Sequence, residues 1–185
     1  MPVEQREARL TAQALQGNRD AFGDLYELYL EEVYRYVFYR VSNEADAEDL
    51  TEQVFLNAWE NLPKFLQSVP FKAWLYRIAR NTVIDHYRTR NKKNLPMNEN
   101  VSFVAMDDQP EDKVLAQETT VRLIQAISKL SQLHQDVIIL RFANGFSTTE
   151  TAQIVERNVG TVRVLQHRAL KAMQSYLVAE EIVHG

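Results

Sequence analysis

The residues best suited to a chemical task lie on a basic segment near the C-terminus. From Arg157 to Tyr176 the chain holds four arginine or lysine residues and no acidic residue. At about 100° per residue, a helix over this segment has an apolar stripe and an opposite, mostly basic stripe. Cations on an exposed stripe neutralise phosphates, which supplies most of the affinity of proteins for DNA. The apolar stripe holds Val162, Leu165, Ala169, Met173 and Tyr176, and the other holds Gly160, Arg163, Val164, His167 and Lys171.

The residues in front of this segment predict a helix-turn-helix. Ser147 and Glu150 have the spacing of a capping box, so a first helix should begin near Thr148. Asn158 is a suitable N-cap for the second helix. Small Ala152 lets the two helices approach, and the second can then enter a major groove. From this pattern alone, DNA binding and an ordinary helical hairpin with a solvated charged face are equally good interpretations.

A second basic segment interleaves cations with aromatic rings. Between Phe71 and Lys93 there are seven lysine or arginine residues and one aspartate. Cations hold a nucleic-acid backbone, while aromatic rings offer stacking faces to unpaired bases. A solvated basic helix with half-buried tyrosines is an equally good interpretation on composition alone. The helix predicted from Phe71 to about Arg90 buries Phe71, Trp74, Leu75, Ile78 and Thr82 and carries Tyr76, Arg77, Arg80, Tyr87 and Arg88 on its opposite side.

Acidic residues dominate the chain before this segment. From Asp24 to Glu60 there are ten acidic residues against two arginines. Such a surface repels DNA and attracts a basic partner. The helix predicted from Ala45 to Asn61 turns Ala47, Leu50, Val54 and Ala58 inward and Asp46, Asp49, Glu52, Gln53 and Asn57 mostly outward.

The same carboxylates also raise the hypothesis of an enzyme with a metal or acid–base cluster. Its members would be Asp46, Glu48, Asp49, Glu52 and His86. No second helix supplies a Glu-x-x-His partner, and His86 lies in the basic helix. A solvated acidic face explains these residues better, so we expect no catalytic residue, no metal site and no cofactor.

Composition bounds the fold and the compartment. A chain of 185 residues has room for one ordinary domain or two small ones. Five glycines, five prolines and mostly helical apolar spacing predict an all-α protein. With no cysteine, disulfides and thiolate chemistry are excluded. The sequence has neither an apolar signal core nor a membrane-spanning run, so we expect a cytoplasmic protein without membrane insertion.

Turn-forming residues divide the chain into three parts. Helices are predicted over residues 3–16, 21–41, 45–61 and 71–90, with a loop from Leu62 to Pro70. Residues 94–112 carry two prolines, five acidic residues and no basic residue, which is typical of a flexible linker. Helical spacing resumes at Val114, with a break around Leu130. The predicted parts are a domain over 1–93, a linker over 94–112 and a domain over 113–185.

Three stretches, in this order, resemble bacterial RNA polymerase sigma factors of the extracytoplasmic-function group. They are DAEDLTEQVFLNAW from Asp46 to Trp59, FKAWLYRIARNTVIDHYR from Phe71 to Arg88, and LRFANGFSTTETAQI with the later VGTVRVLQHRAL. The resemblance implies a region 2 helical bundle and a region 4 helix-turn-helix domain on a flexible acidic linker. It also implies a non-enzymatic protein, monomeric when free, that directs core RNA polymerase to promoters.

The resemblance assigns two sites to the first domain. One face would bind core RNA polymerase, with the beta-prime clamp and the beta subunit as the expected partners. Its residues are Asp46, Asp49, Leu50, Glu52, Gln53 and Asn57. The other would open the minus-ten promoter element and capture a flipped base beside Asn81 and the loop from Leu62 to Pro70. Its residues are Lys64, Phe65, Lys72, Tyr76, Arg77, Arg80, Asn81, Tyr87 and Arg88.

The second domain would read the minus-thirty-five element as duplex DNA. Relatives usually have glycine in the turn where this chain has Glu156, which puts the shape of the turn in question. By resemblance the linker runs toward the polymerase active site, and an anti-sigma factor holds the protein inactive. The alternative is a transcriptional regulator with a helical sensing domain, which binds duplex DNA without polymerase. The residues that the resemblance assigns to the minus-thirty-five element are Ser147, Thr161, Arg163, Val164, His167, Arg168 and Lys171.

Overall fold

The computed structural model describes residues 3–93, Leu95 and residues 112–184, except the side chains of Val3, residues 112–117, Glu181, Val183 and His184. All regular structure in these residues is helical, which confirms the predicted all-α class. The acidic linker predicted over 94–112 lies outside them, apart from Leu95 and Asp112. The α-helices are α1 (Val3–Leu15), α2 (Arg19–Val41), α3 (Glu44–Asn61), α4 (Phe71–Lys92), α5 (Asp112–Ser128), α6 (Gln132–Ile138), α7 (Thr148–Val155) and α8 (Val159–His184).

Local capping sets the ends of the first helices. The Asn18 side chain accepts a hydrogen bond from the Ala21 amide at 3.1 Å and starts α2. Ser42 takes a left-handed conformation and ends α2, and Asn43 then caps α3 through the Asp46 amide at 2.9 Å. Because these signals depend on neighbouring residues, the sequence predicted both boundaries within two residues.

Helices α2, α3 and α4 pack around an aromatic-rich core. Val33, Val37 and Val54 are completely buried within it. The segment between α3 and α4 holds a 3-10 turn at Leu62–Lys64 and no α-helix, as the two flanking prolines predict. The ring of Phe65 then packs against those of Phe71 and Trp74, at centroid distances of 5.9 and 4.9 Å.

The C-terminal helices form a second, smaller bundle. Helix α6 continues into a π-helical segment, Ile139–Ala143, before the helix-turn-helix of α7 and α8. Leu140, Ile154 and Val162 are at most 1% exposed and form its core. The apolar stripe predicted on α8 is confirmed, because Val162 and Ala169 are fully buried and Met173 nearly so.

The two bundles pack directly against each other. The ring of Tyr76 on α4 meets the ring of Phe146, just before α7, edge-on at 4.6 Å. Helices α4 and α7 are in contact, as are α2 and the π-helical segment. The buried residues of the two bundles therefore form one continuous core. The sequence had left the relative placement of the two domains open.

Candidate nucleic-acid and polymerase interfaces

The helix-turn-helix begins with the capping box that the sequence predicted. The Ser147 amide donates to the Glu150 carboxylate at 2.7 Å, and the Glu150 amide donates to the Ser147 hydroxyl at 3.1 Å. The hydrogen bond from the Ser147 backbone lowers the pKa of Glu150. The Ser147 hydroxyl already accepts at the helix start, so it has only its proton left to offer to a phosphate.

The turn between α7 and α8 keeps its regular shape despite lacking glycine. Glu156 adopts the left-handed conformation, with φ 56° and ψ 48°, and its amide donates to the Ala152 carbonyl. This conformation costs a non-glycine residue about 1–2 kcal/mol. Asn158 then accepts from the Thr161 amide at 2.7 Å and starts α8. The departure at Glu156 therefore strains the turn without changing its course.

The basic stripe of α8 faces solvent. Thr161, by contrast, is half-buried at the first turn of the helix. No carboxylate among the described residues forms an ion pair with a cation of this stripe. Such an array can meet phosphates and base edges without first breaking an internal contact. All members of the stripe are exposed, namely Gly160, Arg163, Val164, His167 and Lys171, and so is the neighbouring Arg168.

The corresponding face of α4 is occupied by the second bundle. Lys72 pairs with Glu32 at 2.7 Å and lies 5.0 Å from the centre of the Phe146 ring. Arg77 donates to the backbone carbonyl of Gln153 at 2.8 Å. Arg80 donates to the Asp136 carboxylate, also at 2.8 Å. Three cations that the resemblance assigned to minus-ten DNA thus already have polar partners within the chain. The partners of Arg77 and Arg80 belong to the second bundle, and that of Lys72 belongs to the first.

Two aromatic residues assigned to minus-ten DNA are not available on the surface. Tyr76 was expected on the exposed side of α4 but is fully buried, because Phe146 and Asn144 cover it. Burial raises its pKa, so the hydroxyl stays protonated. Phe65 is 8% exposed because its ring fills the space beside Phe71 and Trp74. The predicted exposure of Tyr76 was therefore wrong.

A hollow beside α4 brings several of the remaining minus-ten residues together. Asn81 is exposed there, and Lys64 approaches from the segment that connects α3 to α4. Asn57 reaches the same hollow from α3 and donates to the Thr82 hydroxyl at 3.2 Å. Trp74 and Ile78 supply apolar walls. Amide groups beside an aromatic wall can hydrogen-bond and stack with an unpaired base. Tyr87 is half-buried and Arg88 exposed further along α4.

The acidic face of α3 is only partly free. Asp49, Glu52 and Gln53 are exposed, whereas Leu50 is half-buried. Asp46 is held by α4, since Arg90 lies 3.1 Å from its carboxylate. An acidic surface with this exposure can attract a basic protein partner.

His86 lies beside the same carboxylate. Its Nε2 is 3.8 Å from Asp46, and burial lowers its pKa despite that neighbour. Among the residues that the structure describes, no group of acidic and histidine side chains is arranged to hold a metal ion. Nor is any helix of the described chain long and apolar enough to cross a membrane.

The structure adds residues that the sequence did not single out. Leu56 is 57% exposed on α3, at the edge of a groove between α2 and α3 lined by Phe22, Tyr26, Phe55 and Trp59. Asp136 is fully buried at the junction of the two bundles. Its position directly before the apolar run Val137 to Leu140 was the one available signal, since a carboxylate there must find partners when buried.

Comparisons with known proteins agree with the three stretches that carried the resemblance. The model of Sigma-70 region 2 matches residues 25–93, and that of Sigma-70, region 4, matches residues 120–173. The ECF RNA polymerase sigma factor BldN of Streptomyces coelicolor is 38% identical over 93% of this chain; the match spans 66% of BldN, just under two thirds of its length. SigW of Bacillus subtilis, another ECF RNA polymerase sigma factor, is 31% identical over 89% of this chain and 93% of its own.

A solved structure has the same arrangement of helices. It is the sigma factor RpoE in complex with the anti-sigma factor NepR, from Bartonella quintana. The two chains superpose with a TM-score of 0.71 at 26% sequence identity, over 84% of this chain and 96% of that one.

Proposed function

Since the chain belongs to the extracytoplasmic-function group of RNA polymerase sigma factors, we propose that it binds core RNA polymerase and directs transcription from specific promoters. The observation that supports this proposal most strongly is that one chain holds two basic helices with different surroundings. Helix α4 borders a hollow with amide and aromatic walls, which suits unpaired bases. Helix α8 presents an exposed basic stripe from a helix-turn-helix, which suits duplex DNA.

The acidic face of α3 is the proposed contact with core polymerase. Asp49, Glu52 and Gln53 are exposed there and would repel phosphates while attracting a basic protein surface. The neighbouring Leu56 adds an exposed apolar contact. The proposed partners are the beta-prime clamp and the beta subunit.

The first domain is proposed to melt and hold the minus-ten element. Opening DNA without a nucleotide cofactor requires that unpaired bases gain in the protein what they lose in the duplex. Stacking on protein is worth about 1–3 kcal/mol per base, against a mean of about 1.4 kcal/mol per lost base-pair step. A base bound beside Asn81, with Lys64 and Arg77 at the rim of the hollow, can therefore stabilise the open state.

The second domain is proposed to read the minus-thirty-five element. Arg163, His167 and Lys171 would contact bases or phosphates, and Val164 would touch a thymine methyl group. Arg168 and Thr161 would hold the backbone, with the Ser147 hydroxyl donating to a phosphate. The exposure of the α8 stripe supports this assignment.

The same family membership supports proposals for the regulation and location of this protein. The structural relative RpoE is bound by the anti-sigma factor NepR, and we propose an anti-sigma partner for this chain too. We also propose domains over 1–93 and 113–185 on an acidic linker over 94–112, and a cytoplasmic protein, monomeric when free, without enzymatic activity or cofactor.

Run-off transcription with purified core polymerase on fragments of the source genome tests the proposal. Transcripts from specific promoters should require the protein. Reversing Asp49 and Glu52 to lysine should abolish core binding while the fold, followed by circular dichroism, is kept; the matched control reverses the exposed Glu27 on α2. Tight duplex binding with no effect on polymerase would instead indicate an ordinary transcriptional regulator.

A further inference from the structure

A row of hydrogen bonds runs from the acidic face of α3 into the hollow beside α4. Gln53 Nε2 donates to Asn57 Oδ1 at 2.8 Å, one turn further along α3. Asn57 Nδ2 donates across to Thr82 Oγ1 on α4 at 3.2 Å, and the Thr82 hydroxyl donates to the Ile78 carbonyl at 2.8 Å. Asn57, Ile78 and Thr82 line the hollow. The resemblance assigned Asn57 to core polymerase, but the structure places it in the proposed base site.

The Ile78 carbonyl fixes the direction of this row of hydrogen bonds. A hydroxyl has a single proton, so Thr82, which gives its proton to Ile78, can only accept from Asn57. Asn57 must therefore present its NH2 group to Thr82 and its oxygen to Gln53, which must present its own NH2 group in turn. The amide of Asn57 cannot turn over without breaking two hydrogen bonds.

This arrangement leaves one donor for a ligand. The NH2 group of Asn57 has two protons, and only one of them has a partner among the residues that the structure describes. Asn57 is half-buried and Thr82 is 7% exposed, so little water competes for the bond between them. Asn57 therefore offers the hollow a donor in a fixed orientation.

We propose that Asn57 donates this proton to the base captured in the hollow and helps to select it, and that Gln53 is a positioning residue that holds Asn57 in place. The inference rests on the proposed function of the hollow and names residues that set its base preference. Asn57 then acts on DNA, and Gln53 acts on DNA through Asn57 in addition to any contact with core polymerase.

A fixed donor must favour some bases over others. Proteins read an unpaired base by hydrogen bonds to its Watson–Crick edge. At the 4- or 6-substituent, thymine and guanine have a carbonyl oxygen, whereas cytosine and adenine have an amino group. At the ring nitrogen this order reverses, and at the 2-position only guanine has an amino group. A donor at any of these points discriminates between the bases, and an acceptor in its place changes the order of preference.

Two isosteric variants replace the donor by an acceptor. Asn57→Asp removes the NH2 group directly. Gln53→Glu removes the donor at the far end of the row, so the NH2 group of Asn57 should turn toward the new carboxylate and its oxygen toward Thr82 and the hollow. The Thr82 hydroxyl can then donate to that oxygen. Gln13→Glu is the matched control, because it adds the same charge at an exposed position on α1.

Competitive run-off transcription measures the base preference. The complex with core polymerase is given four templates whose minus-ten element is mismatched, and therefore already open, and which differ only in one non-template base. Each unpaired position is varied in turn. The preference is a ratio within one reaction, so changes in core affinity cancel. At one position, Asn57→Asp and Gln53→Glu should both change the ratio between two bases by about 10-fold in the same direction, the effect of one hydrogen bond. Gln13→Glu should leave every ratio unchanged.

Nuclear magnetic resonance of the free chain tests the hydrogen bonds without DNA or polymerase. In a protein labelled with nitrogen-15, the side-chain amide signals of Asn57 are identified by their loss in Asn57→Asp. They should shift in Gln53→Glu, because the amide turns over, and should stay in place in Gln13→Glu.

The outcomes separate base selection from the proposed function. Equal losses of transcription from all four templates, with every ratio unchanged, would give Asn57 a purely structural role and overturn the proposal. A changed ratio in Asn57→Asp alone, or Asn57 signals that ignore Gln53→Glu, would overturn the positioning by Gln53. If no promoter depends on the unchanged protein, the sigma-factor assignment fails instead, and the resonance measurement still reports whether Gln53 holds Asn57.

Discussion

Helices α4 and α8 are both basic, yet the basic face of α4 is covered by the second bundle and that of α8 is exposed to solvent. On α4, Arg77 and Arg80 are held by the second bundle. On α8, Arg163 and Lys171 are exposed and form no ion pair with any described residue. The difference matches the DNA that each face is proposed to bind. Duplex DNA is always present, whereas unpaired DNA arises only when a promoter is opened.

The largest effect on stability is expected where the second bundle covers α4. Phe146→Ala should lower the free energy of unfolding by about 3–5 kcal/mol, because a large ring that is 3% exposed leaves a cavity against Tyr76. Phe142, four residues earlier, is 57% exposed and gives the matched control. Phe142→Ala should change stability by no more than about 0.5 kcal/mol. Urea unfolding followed by circular dichroism measures both; equal effects would mean that Phe146 is not packed between the bundles.

The next largest effect is expected on the exposed basic stripe of α8. Arg163→Ala should weaken binding to duplex promoter DNA by about 1–3 kcal/mol if the guanidinium contacts a base, and should lower the salt slope if it contacts a phosphate. Arg9→Ala on α1, also exposed, is the control. Fluorescence anisotropy across a salt series separates the two cases. No loss of affinity relative to Arg9→Ala would remove Arg163 from the reading surface.

A smaller effect is expected at the turn that presents α8. Glu156→Gly should stabilise the protein by about 1 kcal/mol, because glycine adopts the left-handed conformation without a steric penalty. Glu156→Ala keeps a Cβ atom and should give no such gain. Thermal unfolding compares the two variants. A gain of the same size with alanine would show that the Glu156 side chain, rather than its backbone conformation, destabilises the turn.

The smallest effect concerns pH and lies where α4 packs against α3, at His86 beside Asp46. Burial lowers the pKa of His86, so the folded state binds a proton less readily than the unfolded chain. Stability should be unaffected above the ordinary histidine value of about 6.5 and should fall as the pH drops below it. His86→Gln should reduce that fall. Urea unfolding at about pH 7.5 and about pH 5.5 measures the difference; an unchanged pH dependence in the variant would assign the effect to other groups.

The ends of the helices could be predicted because their causes are local. Asn18, Asn43, Ser147 and Asn158 each cap a helix through an amide three residues ahead. The two stripes of α8 followed from periodicity for the same reason. Glu156 could be identified as a departure, but only the structure shows that the backbone accepts the strain.

Contacts between the bundles could not be predicted from periodicity. The sequence pattern placed Tyr76 on the side of α4 opposite its buried stripe, but Tyr36 of its own bundle and Phe146 of the second bundle both pack edge-on against its ring. Phe65 was assigned to DNA because its segment resembles a base-holding loop, yet its ring completes an aromatic cluster. Asp136 needs partners from α2 and α4, about a hundred and about sixty residues away in sequence.

Footprinting of the complex with core polymerase tests the division of labour between the two helices most directly. On a promoter found by run-off transcription, permanganate should detect unpaired thymines at the minus-ten element, and nuclease digestion should show upstream duplex protection. Asn81→Ala should lose the unpaired thymines and keep the upstream protection, while a double Arg163→Ala, Lys171→Ala variant should lose the upstream protection. Upstream protection without unpaired thymines in the unchanged protein, or unpaired thymines that persist with Asn81→Ala, would contradict the account.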